Sequence, residues 1–168
     1  MKALLQSPRV GFAAIFAICA GLIAIGIWLQ QAKGLEPCPM CIMQRYAFVA
    51  AGLIALIGAL HAPSGWGKRI YSILIVLAAI GGASIAMRQS WLQHNPPKVA
   101  ECGADLDFML DSFPLADALP MIFRGAGDCS AVQWTFAGMS IAEWALVWFA
   151  LIGAIAALQW FATTARTR

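Results

Sequence analysis

The stretch GFAAIFAICAGLIAIGIWL, residues 11–29, decides the fold class because it contains no charged side chain from end to end. At 1.5 Å per residue, a helix of this length crosses a hydrocarbon core about 30 Å thick. Comparable apolar runs occupy residues 42–60, 70–87 and 144–162, and the only charge within them is Arg45. The chain is 61 % hydrophobic and 11 % charged, which excludes an ordinary soluble domain. We therefore predict an all-α integral membrane protein, a four-transmembrane-helix bundle that forms a single membrane domain over residues 1–168.

The first apolar run could instead belong to a signal peptide, since residues 1–9 form a short basic leader. The run is longer than the apolar region of a typical signal peptide, and no small-residue cleavage site follows it. We expect a membrane span here.

Charge orients the predicted bundle. With both termini in the cytoplasm, the inner segments carry six bases and no acid, while all eight acids fall outside. The inner bases are Lys2, Arg9, Lys68, Arg69, Arg166 and Arg168. The inner loop then spans residues 61–69, and the outer loops span residues 30–41 and 88–141. The net charge of +3 is thus a signal of topology in a lipid bilayer and gives no reason to expect a nucleic-acid partner.

The long outer loop contains an apolar pattern of its own. Leu106, Met109, Leu110 and Phe113 recur at helical spacing, with aspartates on the other faces. We predict a short amphipathic helix lying on the outer membrane surface. Irregular packing of this segment over the bundle is the alternative.

Small residues recur every four positions along the apolar runs, which favours close helix packing in lipid. They are Ala13, Ala17 and Gly21; Ala47, Ala51, Ala55 and Ala59; Ala78, Gly82 and Ala86; and Ala150 and Ala154. The last run is preceded by Ser140 and Glu143, spaced as a capping box at a helix start. Cys19, in the middle of the first run, is interpreted as a small apolar filler.

The segment Cys38-Pro39-Met40-Cys41 is a C-x-x-C motif, which fits either a redox dithiol or half of a zinc site. No second close pair and no nearby histidine completes a zinc site, so we expect no metal. We predict that Cys41 begins a helix, whose free N–H groups favour a thiolate. Arg45 follows four residues later on the same face and could pair with that anion, or could merely extend toward the lipid headgroups. Gln44 is a neighbouring hydrogen-bonding group.

Cys102 and Cys129 lie in the long outer loop, on the same side as the C-x-x-C motif. An oxidising compartment on that side would allow disulfides. A bridge between the two could simply stabilise the loop, by about 3–4 kcal/mol in the chain-entropy model. Two redox pairs on one face would instead suggest a relay.

Four segments together resemble the DsbB family of bacterial inner-membrane disulfide-forming oxidoreductases. They are LEPCPMCIMQR at residues 35–45, RQSWLQ at 88–93, ECGADLDFML at 101–110 and GDCSAVQWTFAG at 127–138. Their order, their spacing and the four-span topology all fit, over nearly the whole chain.

The resemblance implies a protein-dithiol:quinone oxidoreductase with disulfides Cys38–Cys41 and Cys102–Cys129. A reduced periplasmic oxidase of the DsbA type would attack the loop disulfide at Cys102, and electrons would pass through Cys38 and Cys41 to ubiquinone or menaquinone from the membrane pool. Arg45 matches the family's quinone-site arginine. Gln44 stands where the best-known member has an acid, so its place in the cofactor site is less certain. The redox loops would face the periplasm.

Three other readings compete with this one, and the first is a specialised member of the same family that serves one dedicated partner. Proteins of the vitamin K epoxide reductase type are also small helical quinone-linked thiol oxidases, but their C-x-x-C motif comes late in the chain, whereas here it precedes the second span. A non-enzymatic four-span scaffold with two structural disulfides is the alternative from another class.

Overall fold

Four long helices dominate the computed structural model, which describes residues 7–35, 37–96 and 127–164. They are α1 (Pro8–Lys33), α2 (Pro39–His61), α3 (Trp66–His94) and α5 (Ile141–Thr164). Before α5 come a single helical turn, α4 (Gly127–Ser130), and a two-stranded hairpin of β1 (Thr135–Phe136) and β2 (Met139–Ser140). All four long helices are long and apolar enough to cross a membrane. The predicted fold class is thereby confirmed in its four-helix membrane architecture.

Sequence neighbours are also neighbours in space. The α1 helix packs on α2, α2 packs on α3, and α3 makes the most extensive interface of all with α5, while α1 and α5 touch only lightly. The result is an up-and-down bundle. Its weakest seam lies between the first and last helices.

The bundle is locked by phenylalanine rings that enter notches made by glycines. Phe149 of α5 occupies the space in which a Cβ on Gly82 of α3 would lie, and its ring stacks on Phe48 of α2 with centroids 3.9 Å apart. Near the start of α1, Phe12 fills the notch at Gly58 of α2, where an added Cβ would lie 3.1 Å from the ring. Large side chains of α1 and α5 thus fit against glycines of α2 and α3.

This packing confirms the small-residue prediction for only two of the four helices. Ala51 and Ala55 of α2, and Gly82 and Ala86 of α3, are buried. The prediction is wrong for the other two helices, because the small residues that it named there face outward. The exposed residues are Ala13, Ala17, Gly21, Ala150 and Ala154. In α1 and α5 the buried face carries the bulky partner, as at Phe12 and Phe149.

The helices extend beyond the apolar runs that predicted them. Residues 88–94, which we predicted to belong to the outer loop, form the last two turns of α3. Polar residues there still make helical backbone bonds, and hydropathy alone does not detect them. At the start of α5 the predicted capping box is confirmed: the Ser140 amide donates to Glu143 Oε2 over 2.7 Å, and the Glu143 amide donates to Ser140 Oγ over 3.3 Å. The predicted surface helix around Met109 lies outside the described residues.

The hairpin before α5 turns through Ala137 and Gly138, both with positive φ. Such a two-residue turn matches the twist of paired strands. The turn brings Phe136 against Trp144, whose indole N–H donates to the Phe136 carbonyl over 3.0 Å. The hairpin therefore fixes the chain between Cys129 and the start of α5.

Candidate functional site

The C-x-x-C motif forms the N-terminal end of α2. Pro39 is the first residue of the helix, a position where its missing N–H costs nothing, and Cys38 is the N-cap. The sulfur of Cys38 accepts a hydrogen bond from the Cys41 amide over 3.3 Å, as a serine or aspartate oxygen would at this position. The helix thus begins two residues earlier than we predicted. Cys41 lies in its first turn, among backbone N–H groups that have no helical acceptor.

This turn brings the two cysteine sulfurs together. Cys38 Sγ and Cys41 Sγ are 2.7 Å apart, so closing a disulfide at about 2.05 Å needs only a small movement. Cys38 is buried and Cys41 is half-buried. The geometry of the motif is therefore compatible with a dithiol and with a disulfide.

A third sulfur reaches the pair from the loop that precedes α5. Cys129, in the single turn α4, is fully buried and packs with Cys38, Met40 and Leu92. The Cys38 thiol hydrogen-bonds to Cys129, and this contact, with the bond to Cys41 and with burial, raises the pKa of Cys38. One of the two loop cysteines thus lies against the C-x-x-C pair. Cys102 lies outside the described residues.

Two glutamine side chains complete the polar surroundings of the sulfurs. Gln89 of α3 donates from Nε2 to Cys41 Sγ over 3.2 Å and to Cys38 Sγ over 3.3 Å. Its Oε1 accepts a 2.7 Å hydrogen bond from Gln44 Nε2. Gln44 and Gln89 are both buried. Gln44 therefore reaches the sulfurs through Gln89.

Sequence reasoning missed Gln89. It falls in the segment that we predicted to be loop, and nothing in its spacing relates it to the C-x-x-C motif 48 residues away. A signal was available in the polar segment RQSWLQ, which follows an apolar run without a helix-breaking residue. Continuing α3 through that segment places Gln89 level with the start of α2.

Arg45 is held by α1. Its guanidinium donates to Gln30 Oε1 over 2.8 Å and approaches the Gly26 carbonyl at 3.5 Å. These contacts leave the Arg45 charge close enough to act on the Cys41 sulfur. Pairing of Arg45 with a Cys41 thiolate stays a prediction. The contacts with α1 fix the cation inside the bundle, which argues against an arginine that merely extends to headgroups.

Arg45 and Cys41 line the same cavity, of about 130 Å³, in the loosely packed seam between α1 and α5. Besides Cys41, its polar lining consists of Gln30, Gln44, Arg45 and Gln133. The remaining wall is mostly apolar and includes Leu22, Ile23, Leu29, Phe48, Ile141 and Ala145. Such a cavity suits a flat apolar ligand that carries hydrogen-bond acceptors.

Comparison with known proteins gives a consistent answer. The sequence profile described as "Disulfide bond formation protein DsbB" matches residues 8–159. The chain is 57 % identical over 159 residues to disulfide bond formation protein B of Aromatoleum aromaticum, covering 95 % of this chain and 96 % of that protein. It is also 57 % identical to the protein of the same name from Azoarcus sp., covering 89 % and 90 %, and 48 % identical to that of Acidovorax sp., covering 89 % and 85 %.

The chain belongs to the DsbB family. It is therefore a membrane-embedded disulfide oxidoreductase, and the resemblance noted from its cysteine motifs is confirmed. DsbB membership does not favour the vitamin K epoxide reductase type or the non-enzymatic scaffold. The described residues place the C-x-x-C pair between Cys129, which packs with Cys38, and the cavity that Cys41 lines.

Proposed function

We propose that the protein oxidises the dithiol of a periplasmic thioredoxin-fold oxidase of the DsbA type and delivers the electrons to a membrane quinone. The observation that carries the proposal is the position of the Cys38–Cys41 pair. Cys129 touches it through Cys38, and the apolar cavity meets it at Cys41. Overall, the partner dithiol loses two electrons and two protons, and a quinone gains both.

The thiol steps follow from these contacts. A partner thiolate attacks Cys102 of a Cys102–Cys129 disulfide, forms a mixed disulfide there and releases Cys129 as a thiolate. Cys129 then attacks Cys38, the sulfur that it contacts, and the Cys38–Cys41 bond breaks with its electron pair on Cys41. The partner's second thiol attacks the mixed disulfide and leaves oxidised. Cys102 re-forms its bond with Cys129, and Cys38 and Cys41 are left as the reduced pair.

The cavity fits a quinone headgroup by the chemistry of its donors. A quinone is a flat apolar ring with carbonyl oxygens that only accept hydrogen bonds, and when bound it supplies an acceptor for two electrons and two protons. Arg45 and Gln44 line the cavity with N–H donors, and Phe48 and Ile141 belong to its apolar wall. Arg45 would orient the ring, and Cys41 would face it. A lipid-soluble acceptor, ubiquinone or menaquinone, is reached from within the bilayer, which explains why such a pair lies at the end of a membrane helix.

The proposed location is the bacterial inner membrane, with both termini in the cytoplasm and the cysteine loops in the periplasm. Lys68 and Arg69 lie in the first turn of α3, at the end of the bundle opposite the C-x-x-C motif. Short loops rich in lysine and arginine stay in the cytoplasm. This orientation gives the cysteines the oxidising compartment that their chemistry requires.

The test is turnover by the purified protein in detergent with a reduced DsbA-type oxidase and either ubiquinone or menaquinone. We expect quinone absorbance and free thiols to fall together in a one-to-two ratio. Cys38→Ala, Cys41→Ala and Cys102→Ala should each abolish turnover, and Cys102→Ala should also abolish the covalent partner complex on gels. Cys19→Ala is the matched control, because Cys19 is buried in α1 against Gly52, in the apolar core, and should leave turnover unchanged. Absence of turnover with both quinones would contradict the proposal.

A further inference from the structure

We propose that Gln89 is a catalytic residue of the C-x-x-C site, and that Gln44 positions it. The Gln89 amide stabilises negative charge on the Cys41 sulfur when the Cys38–Cys41 bond opens. This deepens the function proposed above and rests on it for the identity of the attacking thiol, but the hydrogen-bond geometry stands on its own.

The first support is the direction of the Gln89 amide. Sulfur in a disulfide or a thiolate carries no hydrogen, so it can only accept. The Gln89 NH₂ group must therefore face the sulfurs, as it does with Nε2 at 3.2 Å from Cys41 and 3.3 Å from Cys38. The carbonyl end must then face a donor, and Gln44 Nε2 provides one at 2.7 Å. Both N–H groups and the oxygen of Gln89 are thus used.

The second support is burial. Gln89 is 3 % exposed and Gln44 is 4 % exposed, at the end of an apolar bundle. A buried amide in a membrane protein is unfavourable unless its polar atoms find partners, and here the two amides find each other and the reactive sulfurs. In a buried site of low dielectric constant, a hydrogen bond to a charged sulfur is stronger than it would be in water. The pair of glutamines is thus a preorganised donor aimed at the place where charge develops.

The step that Gln89 assists balances without any further reagent. The Cys129 thiolate forms a bond to Cys38, the Cys38–Cys41 bond breaks, and the electron pair leaves on Cys41. One disulfide and one thiolate are present before and after. The negative charge moves from the Cys129 sulfur to the Cys41 sulfur. There the Gln89 N–H stabilises it by donating a hydrogen bond.

The test measures alkylation of Cys41 by iodoacetamide in the fully reduced protein at pH 7, without quinone or partner. Only a thiolate reacts, so the rate reports how well the site holds the anion. Gln89→Met keeps the length of the side chain and removes both donors, and we expect it to slow alkylation of Cys41 about tenfold. Gln159→Met is the matched control, since Gln159 is as deeply buried but lies near the other end of α5. We expect that variant to react within about twofold of the parent protein, as a group with no role at the sulfurs should.

Gln89→Glu separates charge stabilisation from packing. Its carboxylate repels the thiolate and donates nothing, so alkylation relative to the parent protein should be slowest near neutral pH. The ratio should recover as the pH falls and the new carboxyl gains a proton to donate. A flat ratio across pH would overturn the proposal.

The positioning role of Gln44 is tested by a double-mutant cycle on the same readout. Because Gln44 acts through Gln89, Gln44→Met should have little further effect in the Gln89→Met background. Additive effects would remove Gln44 from the proposal.

An alkylation rate in Gln89→Met within twofold of the parent, or equal slowing in Gln159→Met, would overturn the role of Gln89. Because no quinone is present, failure of quinone turnover in the parent protein would be seen separately and would leave this result intact.

Discussion

Cys38 has sulfur on two sides, Cys41 within its own helix and Cys129 from the loop. The Cys38 sulfur is therefore common to both disulfides of the proposed thiol–disulfide exchange, since either neighbouring cysteine can form a disulfide with it. Hydrogen bonds to Cys129 and Cys41, together with burial, raise the pKa of the Cys38 thiol. Cys38 is therefore the member of the pair that keeps its proton and is attacked only after it has become part of a disulfide.

A pH profile of alkylation tests this protonation. In the reduced protein, the pH of half-maximal modification of Cys38 should lie above the value of about 8.5 for an ordinary cysteine. The sign follows from the raised pKa, because the neutral, unreactive thiol then persists to higher pH. Cys129→Ala removes the largest cause of the shift and should lower the half-maximal pH, as followed by mass spectrometry of the Cys38 peptide. An unchanged profile in Cys129→Ala would show that the two sulfurs do not interact.

Arg45 has a different role, in the cavity. Arg45→Ala should raise the KM for quinone about tenfold or more while changing kcat less, because it removes a contact to the bound ring. Arg45→Lys keeps the charge and loses the forked contact to Gln30 and Gly26, so an intermediate KM is expected. Steady-state kinetics with a soluble quinone analogue measures both. Arg69→Ala, a cation that stacks on Trp66 away from the cavity, is the control and should leave KM unchanged. An unchanged KM in Arg45→Ala would remove Arg45 from the site.

At the level of elements, the sequence predicts where the helices lie more accurately than it predicts which of their faces pack together. Hydropathy located all four long helices, since each apolar run is long enough to span. The four-residue spacing of small residues is correct on α2 and α3, yet the same spacing on α1 faces outward, as at Ala17. Periodicity identifies a stripe but does not show whether a neighbouring helix or lipid covers it. That choice depends on bulky partners such as Phe149, which no local pattern pairs with Gly82.

The notch at Gly82 gives a sharp test of this packing. Gly82→Ala places a Cβ inside the volume of the Phe149 ring, which is buried and stacked on Phe48, so the ring has little freedom to move. We expect a loss of about 1–3 kcal/mol, seen as a lower midpoint of thermal unfolding in detergent. Gly81→Ala is the control, because nothing lies within 4 Å of the added Cβ there and alanine favours the helix. Phe149→Leu should restore part of the stability lost in Gly82→Ala. Equal midpoints for the two glycine variants would contradict the notch.

At the level of the whole molecule, the site combines parts of different predictability. The C-x-x-C motif and Arg45 are readable because they are close in sequence and share one end of α2. Gln89 is not readable, since its contact with Cys41 depends on the length and register of α3 beside α2. The cavity is still harder to foresee, because it arises from the light contact between the first and last helices of the bundle. Site residues that belong to one local motif can be predicted from the sequence. Site residues that only helix packing brings together cannot.

The orientation of the whole bundle is the remaining prediction. Lys68 and Arg69 follow the α2–α3 connection, so this end should lie in the cytoplasm, and the end that carries Cys38 should lie in the periplasm. Single cysteines introduced by Ser64→Cys in that connection and by Ala131→Cys beside α4, in a background with all native cysteines replaced by alanine, report the two sides; both positions are exposed. A membrane-impermeant maleimide should label Ala131→Cys in intact cells and Ser64→Cys only after the inner membrane is opened. Ala55→Cys, buried in α2, is the control that should resist labelling in both conditions. Labelling of Ser64→Cys in intact cells would place the C-x-x-C pair in the reducing cytoplasm, and the proposed oxidation of a periplasmic partner would then have no dithiol within reach.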